Sequence, residues 1–246
     1  MLTVGVDLAT KPTKTAIASI FWSKNAAHVI GLDTGGTDDA ILNACHEADS
    51  VGIDVPFGWP DAFTTFVDRH QHNAQTAEAG GSDDSRRHMA FRLTDVVVAK
   101  EFGRWPLSVS TDRIGLTAMR ASSLLAQLRD SGEIVDRAGQ GRIAEVYPAI
   151  ALKIWGLRAS SYKGAHSAHL SGLVDNLLEL APWLSMGPLE STCRENDDAF
   201  DAVIAALISR AHALGHWHKP TAGQLEQARR EGWIVVPTIS LNALLD

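Results

Sequence analysis

Cysteine is scarce in this chain. Of its 246 residues only Cys45 and Cys193 are cysteines, and they lack the spacing of a metal-binding pair. The sequence therefore argues against a disulfide framework and against a cysteine-rich zinc site. Because 45% of the residues are hydrophobic, the chain can bury a sizeable core without cross-links. We expect residues 1–246 to form a single domain that carries an insertion.

Long apolar runs are also absent. The longest, such as GWIVVP at 232–237, are far shorter than the roughly 20 residues that a membrane-spanning helix needs. The opening MLTVGVDLAT has neither the charged head nor the apolar run of a signal peptide. From these features we expect no membrane span and a reducing, cytoplasmic location.

Basic residues are outnumbered by acidic ones, 22 to 29, which gives a net charge of −7. This balance weighs against a dedicated protein that binds nucleic acid tightly and non-specifically. It does not argue against a nuclease, because bound metal ions would neutralise several acids and a local basic patch would not change the total. Nucleic acid and nucleotides therefore both remain candidate substrates.

Hydrophobic periodicity predicts alternating strands and helices. The first part of the chain reads as strands at 3–8, 15–21 and 29–32, a helix at 38–47 and a strand at 51–55. The last part reads as helices at 116–130, 149–155, 167–181, 197–213 and 221–230, with strands at 142–147 and 233–236. Between them the pattern loosens, with helical stretches at 61–72 and 86–102, so residues 60–115 are interpreted as an insertion or lid.

Three acidic residues interrupt otherwise apolar strands. They are Asp7 in GVD, Asp54 in VGIDVP and Glu145 in AEVYP. An unpaired carboxylate is costly to bury, so these positions predict a shared cation or a water-filled cleft. Functional residues of open α/β sheets gather at the carboxyl ends of strands, where Asp7 and Asp54 are expected. A strand-end Asp that caps a turn and a solvent-facing Glu145 are the structural alternatives.

The predicted helix in NDDAFDAVIAALISRA, residues 196–211, carries two more acids. Asp198 and Asp201 are three residues apart and share one side of the helix. Its apolar face, expected to pack on the sheet, consists of Phe200, Val203, Ile204, Leu207 and Ile208. Such packing would bring the helix acids to the strand acids and form a chelator for Mg²⁺ or Mn²⁺. Taken alone, an acid at a helix start serves the cap and the dipole.

Six motifs in a fixed order give the chain a family resemblance. They are GVDLA at 5–9, IDVPFGWP at 53–60, FRLTD at 91–95, EVYPA at 145–149, YKG at 162–164 and DDAFDA at 197–202. The chain resembles the domain of unknown function 429 family, whose members are described as predicted nucleases with a ribonuclease H-like fold. Thr94 departs from the commoner form of the family, in which a Cys is frequent.

The resemblance implies an α/β fold, a ribonuclease H-like mixed five-stranded sheet flanked by helices. It implies that Asp7 is the metal ligand of the first strand, that Asp54 and Glu145 are the acids of the IDxP and ExxP motifs, and that Asp198 and Asp201 are the helix-borne pair. Arg92 and Asp95 fall on its RxxD motif, and we expect Arg92 to face the substrate.

These observations predict a metal-dependent phosphodiester hydrolase, a nuclease with a two-metal carboxylate site. The predicted catalytic residues are Asp7, Asp54, Glu145, Asp198 and Asp201, and all of these except Asp54 are predicted metal ligands. Asp7 would bridge two Mg²⁺ or Mn²⁺ ions, with Asp54 as a further ligand or an orienting group. Arg92, Lys14 and Lys163 are the predicted substrate contacts, although a solvated surface cation is the ordinary role for each.

Two other functions fit parts of the sequence. GVDLATKPTKTAIASI at 5–20 looks like the phosphate-binding hairpin of the sugar-kinase, actin and heat-shock ATPase group. The later half of the chain, however, has no second glycine-rich phosphate loop. The other alternative is a catalytically inert nucleotide-binding module, which the retention of every acid argues against.

Overall fold

A computed structural model describes residues 1–157, 162–164 and 168–245. Within these ranges the chain forms a mixed sheet of seven strands and ten α-helices. The strands are β1 Leu2–Asp7, β2 Ala16–Trp22, β3 Ala27–Asp33, β4 Ser50–Asp54, β5 Ile143–Val146, β6 Leu184–Ser185 and β7 Ile234–Val235. The helices are α1 Asp38–Glu47, α2 Asp61–Gln71, α3 Asp83–Ala90, α4 Leu93–Phe102, α5 Gly115–Asp130, α6 Pro148–Ile154, α7 Ala168–Leu180, α8 Glu190–Glu195, α9 Asp197–Ala213 and α10 Leu225–Glu231.

The strand order across the sheet is β6-β3-β2-β1-β4-β5-β7. The first three strands form the antiparallel meander that the sequence predicts. The chain then returns through α1, so that β4 pairs parallel to β1, and β5 pairs parallel to β4. The carboxyl ends of β1, β4 and β5 therefore lie together at one edge of the sheet.

The observed elements differ from the expected ones in several places. The described part of the chain has seven strands where the resemblance implied five, and β6 and β7 contain only two residues each. The helical stretch expected at 86–102 is two helices, because the backbone is extended at Phe91 and Arg92. The short helix α8 was not predicted, and residue 167 of the helix expected at 167–181 lies outside the described residues.

The chain divides into two compact units. The sheet unit comprises Met1–Asp54, Gly141–His218 and Val235–Asp246, and the helical unit comprises Val55–Gln140 and Lys219–Ile234. The insertion predicted at 60–115 falls within the helical unit, whose bounds are wider because it also includes α5 and α10. Its role as a lid stays a prediction.

Helix α9 is the central helix of the sheet unit and packs on β1, β2 and β4. Thirteen of its 17 residues are buried, including the predicted face from Phe200 to Ile208. Its burial reaches well beyond one face, so α9 is a core helix and not a half-exposed amphipathic one. Across residues 1–157, 162–164 and 168–245, no helix has the length and apolarity needed to cross a bilayer.

A buried carboxylate joins two helix starts in the helical unit. The side chain of Glu231 is 2% exposed. One of its oxygens accepts a hydrogen bond from the Asp61 backbone N–H at 2.8 Å, and the other accepts from the Leu93 N–H at 2.7 Å. These N–H groups open α2 and α4 and have no acceptor within their own helices. Glu231 therefore caps both helices.

Arg92 lies beside this junction. Its guanidinium donates to both carboxylate oxygens of Asp95, at 2.9 and 3.2 Å, and to the backbone carbonyl of Glu231 at 3.2 Å. Both charged side chains are almost completely buried. The hydroxyl of Thr94, at the position where the family often has Cys, accepts the Ile234 N–H at 2.9 Å. The FRLTD motif is thus part of the packing and hydrogen bonding of the helical unit.

Candidate active site

The strand register brings the three strand-borne acids to one sheet edge. Asp7 and Asp54 are direct neighbours in the parallel β1–β4 pair, and both end their strands. Glu145 on β5 aligns with Ile53, one residue before Asp54. Because side chains alternate between the faces of a sheet, the side chains of Asp7 and Asp54 lie on one face and that of Glu145 lies on the other. The sequence could not distinguish these two faces.

Two glycines let α9 reach this edge. Gly5 and Gly52 are paired across β1 and β4, two residues before Asp7 and Asp54. A Cβ on Gly5 would lie 2.1 Å from the carbonyl oxygen of Ala202, and one on Gly52 would lie 2.7 Å from that of Ala205. Since no Cβ fits at those distances, only glycine lets the α9 backbone rest directly on these strands.

Contact of α9 with β1 and β4 places its acids beside the strand acids. The charge of Asp198 is among those that raise the pKa of Asp7. The side chain of Asp201 is completely buried, whereas Asp7, Asp54 and Asp198 are partly exposed. The cluster of Asp7, Asp54, Asp198 and Asp201, hereafter the acidic cluster, is therefore closed on its α9 side and accessible to solvent at the strand ends.

Burial and mutual repulsion raise the pKa values in the acidic cluster. Burial, then the charges of Asp201 and Asp54, raise the pKa of Asp7 well above its usual value. Burial raises the pKa of Asp54 to about 7; Asp201 and Glu145 add to the rise, and Lys163 opposes it. The pKa values of Asp198 and Asp201 are also raised, chiefly by burial. The fold therefore holds these acids where their ionised forms are disfavoured.

The Tyr162-Lys163-Gly164 segment binds to the first turns of α9. The Tyr162 hydroxyl donates to Oδ1 of Asp201 at 2.8 Å, and the Lys163 ammonium lies 2.5 Å from Oδ2 of the same residue. The Gly164 N–H donates to Oδ2 of Asp197 at 3.3 Å. Burial favours the neutral form of Lys163, but Asp201, Asp7 and Asp54 outweigh it and raise the pKa of Lys163. The YKG and DDAFDA motifs therefore form one structural feature.

The predicted substrate contacts are placed differently. Lys163 contacts the acidic cluster, and the charge of Lys14, at the end of the 3-10 turn Pro12–Lys14, acts on Asp198. Arg92 is 1% exposed within the helical unit, so it would have to leave Asp95 to contact a substrate. Its substrate role stays a prediction, and its observed contacts are structural.

Sequence reasoning missed two residues of the site. It assigned no role to Tyr162, although YKG was one of the motifs, and none to Asp197 beyond its place in the DDAFDA motif. Asn196 is the observed cap of α9, since its side chain accepts the Ala199 N–H at 3.0 Å. A Tyr next to a Lys in a family motif was the available signal, but its partner on α9 is 39 residues away.

The donor atoms of the acidic cluster suit a hard divalent cation. Carboxylate oxygens are the preferred ligands of Mg²⁺ and Mn²⁺, and a divalent charge would relieve the repulsion among these acids. Oδ2 of Asp201 is buried and has no hydrogen bond besides its charge contact with Lys163. Within the described ranges, however, no three His, Cys, Asp or Glu side chains converge closely enough to hold a metal ion. The chemistry fits a cation, whereas the ligands are not gathered around one point.

Comparison with known proteins places the chain in a family. The model of the family described as "Protein of unknown function (DUF429)" matches residues 5–223, so the chain belongs to this family. The match includes every acid of the cluster and the whole Tyr162–Gly164 segment. No curated protein and no solved structure matches the chain.

Proposed function

We propose that this chain is a metal-dependent hydrolase of phosphodiester bonds, a nuclease with a ribonuclease H-like fold. The proposal depends chiefly on one observation: Asp7 and Asp54, adjacent in register at the ends of β1 and β4, meet Asp198 and Asp201 of α9, and the pKa of each acid is raised. Four carboxylates that repel one another at solvent-accessible strand ends are costly to the fold, and such costly groups are typical of functional sites, here as metal ligands.

The roles of the residues follow from their placement. Asp7, Asp198 and Asp201 would hold Mg²⁺ or Mn²⁺, which supplies charge stabilisation and an activated water when bound. Asp54 would complete the ligands or orient them. Glu145 lies on the other face of the sheet, and in this proposal its charge acts by raising the pKa of Asp54. Its role as a metal ligand stays a prediction. Lys14 and Lys163 would contact phosphate oxygens.

The decisive experiment is a hydrolysis panel with the full chain. Labelled single-stranded, double-stranded and branched DNA and RNA, together with nucleotides, are incubated with Mn²⁺ or Mg²⁺. We expect metal-dependent cleavage of at least one substrate. Asp7→Asn should reduce this cleavage by at least about 10²-fold, because Asp7 is the proposed metal ligand that lies beside both Asp54 and the acids of α9. The variant should keep its fold, since it removes a charge that the folded state disfavours.

Glu179→Gln is the matched control, because it removes one negative charge from an exposed position on α7. It should leave cleavage unchanged. Full activity of Asp7→Asn would refute the assignment. Stabilisation of the chain by ATP without cleavage of any phosphodiester would favour the phosphotransferase alternative.

A further inference from the structure

Both carboxylate oxygens of Asp201 already face a donor. Oδ1 accepts the Tyr162 hydroxyl at 2.8 Å, and Oδ2 lies 2.5 Å from the ammonium of Lys163. Asp201 is fully buried, so no solvent-facing lone pair is left on it for an additional ligand. A divalent cation that uses Asp201 must therefore displace one of the two donors.

The two donors differ in how easily they can leave. Tyr162 is 3% exposed and packs edge-on against Phe200, with ring centroids 6.0 Å apart. Moving its hydroxyl away would leave a buried polar group without its hydrogen bond. The Lys163 side chain is 56% exposed, so its ammonium can rotate into water around its own side-chain bonds. A divalent ion near Oδ2 would also repel the ammonium directly.

We infer that Lys163 is the resident counter-cation of the acidic cluster, and that a divalent cation displaces it from Oδ2 of Asp201 while Tyr162 holds Oδ1 in place. This inference rests on the proposed metal-dependent function, since it names the group with which the metal competes. The ammonium now takes the Asp201 oxygen that a metal would use. The released ammonium is then free to contact a substrate phosphate.

The test measures metal binding, not activity. Mn²⁺ is titrated into the full chain at fixed pH and ionic strength and followed by calorimetry, and thermal unfolding is recorded with and without Mn²⁺. Lys163→Met should bind Mn²⁺ on the order of tenfold more tightly than wild type, because the metal no longer has to break an ion pair whose lysine is largely exposed to solvent. Its Tm without metal should be lower than that of wild type, and Mn²⁺ should close this gap.

Three further variants make the result specific. Lys24→Met is the control, because Lys24 lies in an exposed turn at the end of the β1–β2 pair that is farther from Asp7. This variant loses one positive charge and should bind Mn²⁺ like wild type. Lys163→Arg keeps the charge and should also stay near wild type. Lys163→Gln should change affinity in the same direction as Lys163→Met, and it provides the measurement if the Met variant does not fold.

The outcomes separate this inference from the proposed function. If wild type binds Mn²⁺ and neither neutral variant binds it more tightly, Lys163 is not a competitor and the inference fails, while the metal site stands. If only the neutral variants bind Mn²⁺, the inference is supported and the proposed function of the wild-type chain fails. If no variant binds Mn²⁺ or Mg²⁺, the metal site is wrong and the role of Lys163 fails with it.

Discussion

Buried charges in the two units are neutralised in different ways. In the helical unit, Asp95 forms a two-pronged ion pair with Arg92, and the carboxylate of Glu231 accepts backbone N–H groups at two helix starts. In the sheet unit, by contrast, burial and neighbouring acids raise the pKa values of Asp7, Asp54 and Asp198, and Lys163, which contacts Asp201, opposes the rise only in part.

This difference distinguishes structural acids from candidate functional ones. An acid whose oxygens accept donors from its own fold contributes to stability, and its removal leaves buried donors without acceptors. An acid that lies beside other acids has its ionised form disfavoured by their charges, so neutralising it relieves repulsion. The comparison therefore predicts effects of opposite sign for similar substitutions in the two units.

The largest effect is expected for Asp95→Ala in the helical unit. The change removes the carboxylate that faces the buried guanidinium of Arg92, and it should lower the free energy of unfolding by about 3 to 5 kcal/mol. Chemical denaturation measures the loss. Asp84→Ala, at an exposed position in the first turn of α3, is the control and should cost less than about 1 kcal/mol. A loss equal to that of the control would show that the ion pair is not structural.

A somewhat smaller effect is expected for Gly5→Ala in the sheet unit. The new Cβ would overlap the Ala202 carbonyl and push α9 away from β1, with a loss of about 3 kcal/mol. The displaced α9 should also abolish the rise in Tm caused by Mn²⁺. Gly172→Ala on α7 has open space around its Cβ and should not destabilise the chain. Retained stability and a retained response to Mn²⁺ in Gly5→Ala would contradict the close contact.

The smallest effect is expected for Asp54→Asn, and its sign is opposite. The pKa of Asp54 is raised from 3.8 to about 7 in the folded state, so its proton favours folding. That contribution is fully present below about pH 4 and is lost as the pH rises through about 7. Asp54→Asn should therefore stabilise the metal-free chain at pH 8 by about 1 to 2 kcal/mol, after allowance for solvent screening.

Unfolding at a series of pH values measures this effect. Wild type without metal should lose stability between about pH 4 and pH 7, and Asp54→Asn should lose less. Destabilisation by Asp54→Asn at pH 8 would place Asp54 with the structural acids of the helical unit, and the comparison between the units would fail.

Much of the sheet unit could be predicted from the sequence. The meander, the helix of 38–47, the strand of 51–55 and the long helix of 197–213 all have local patterns that specify them. The two-residue strands and the break at Phe91 and Arg92 have no such pattern. That break depends on Asp95 and Glu231, and Glu231 lies more than 130 residues away in the chain.

The five acids of the candidate site were predictable from the sequence, but their arrangement was not. Acids inside apolar strands identified Asp7, Asp54 and Glu145, and spacing along a helix identified Asp198 and Asp201. Their separation into two sheet faces depends on the register of β5 with β4, which no local pattern determines. The contact of Lys163 with Asp201 joins segments 38 residues apart through a charge contact.

The sequence by itself determined the α/β class, the family and the acids that belong to the candidate site, because hydrophobic periodicity and motif order are local properties of a chain. Only the tertiary structure decided which acids repel one another, which are neutralised by donors and which oxygen Lys163 takes. Those distinctions depend on distances between remote segments, and Coulomb energies and hydrogen bonds change steeply over a few ångströms.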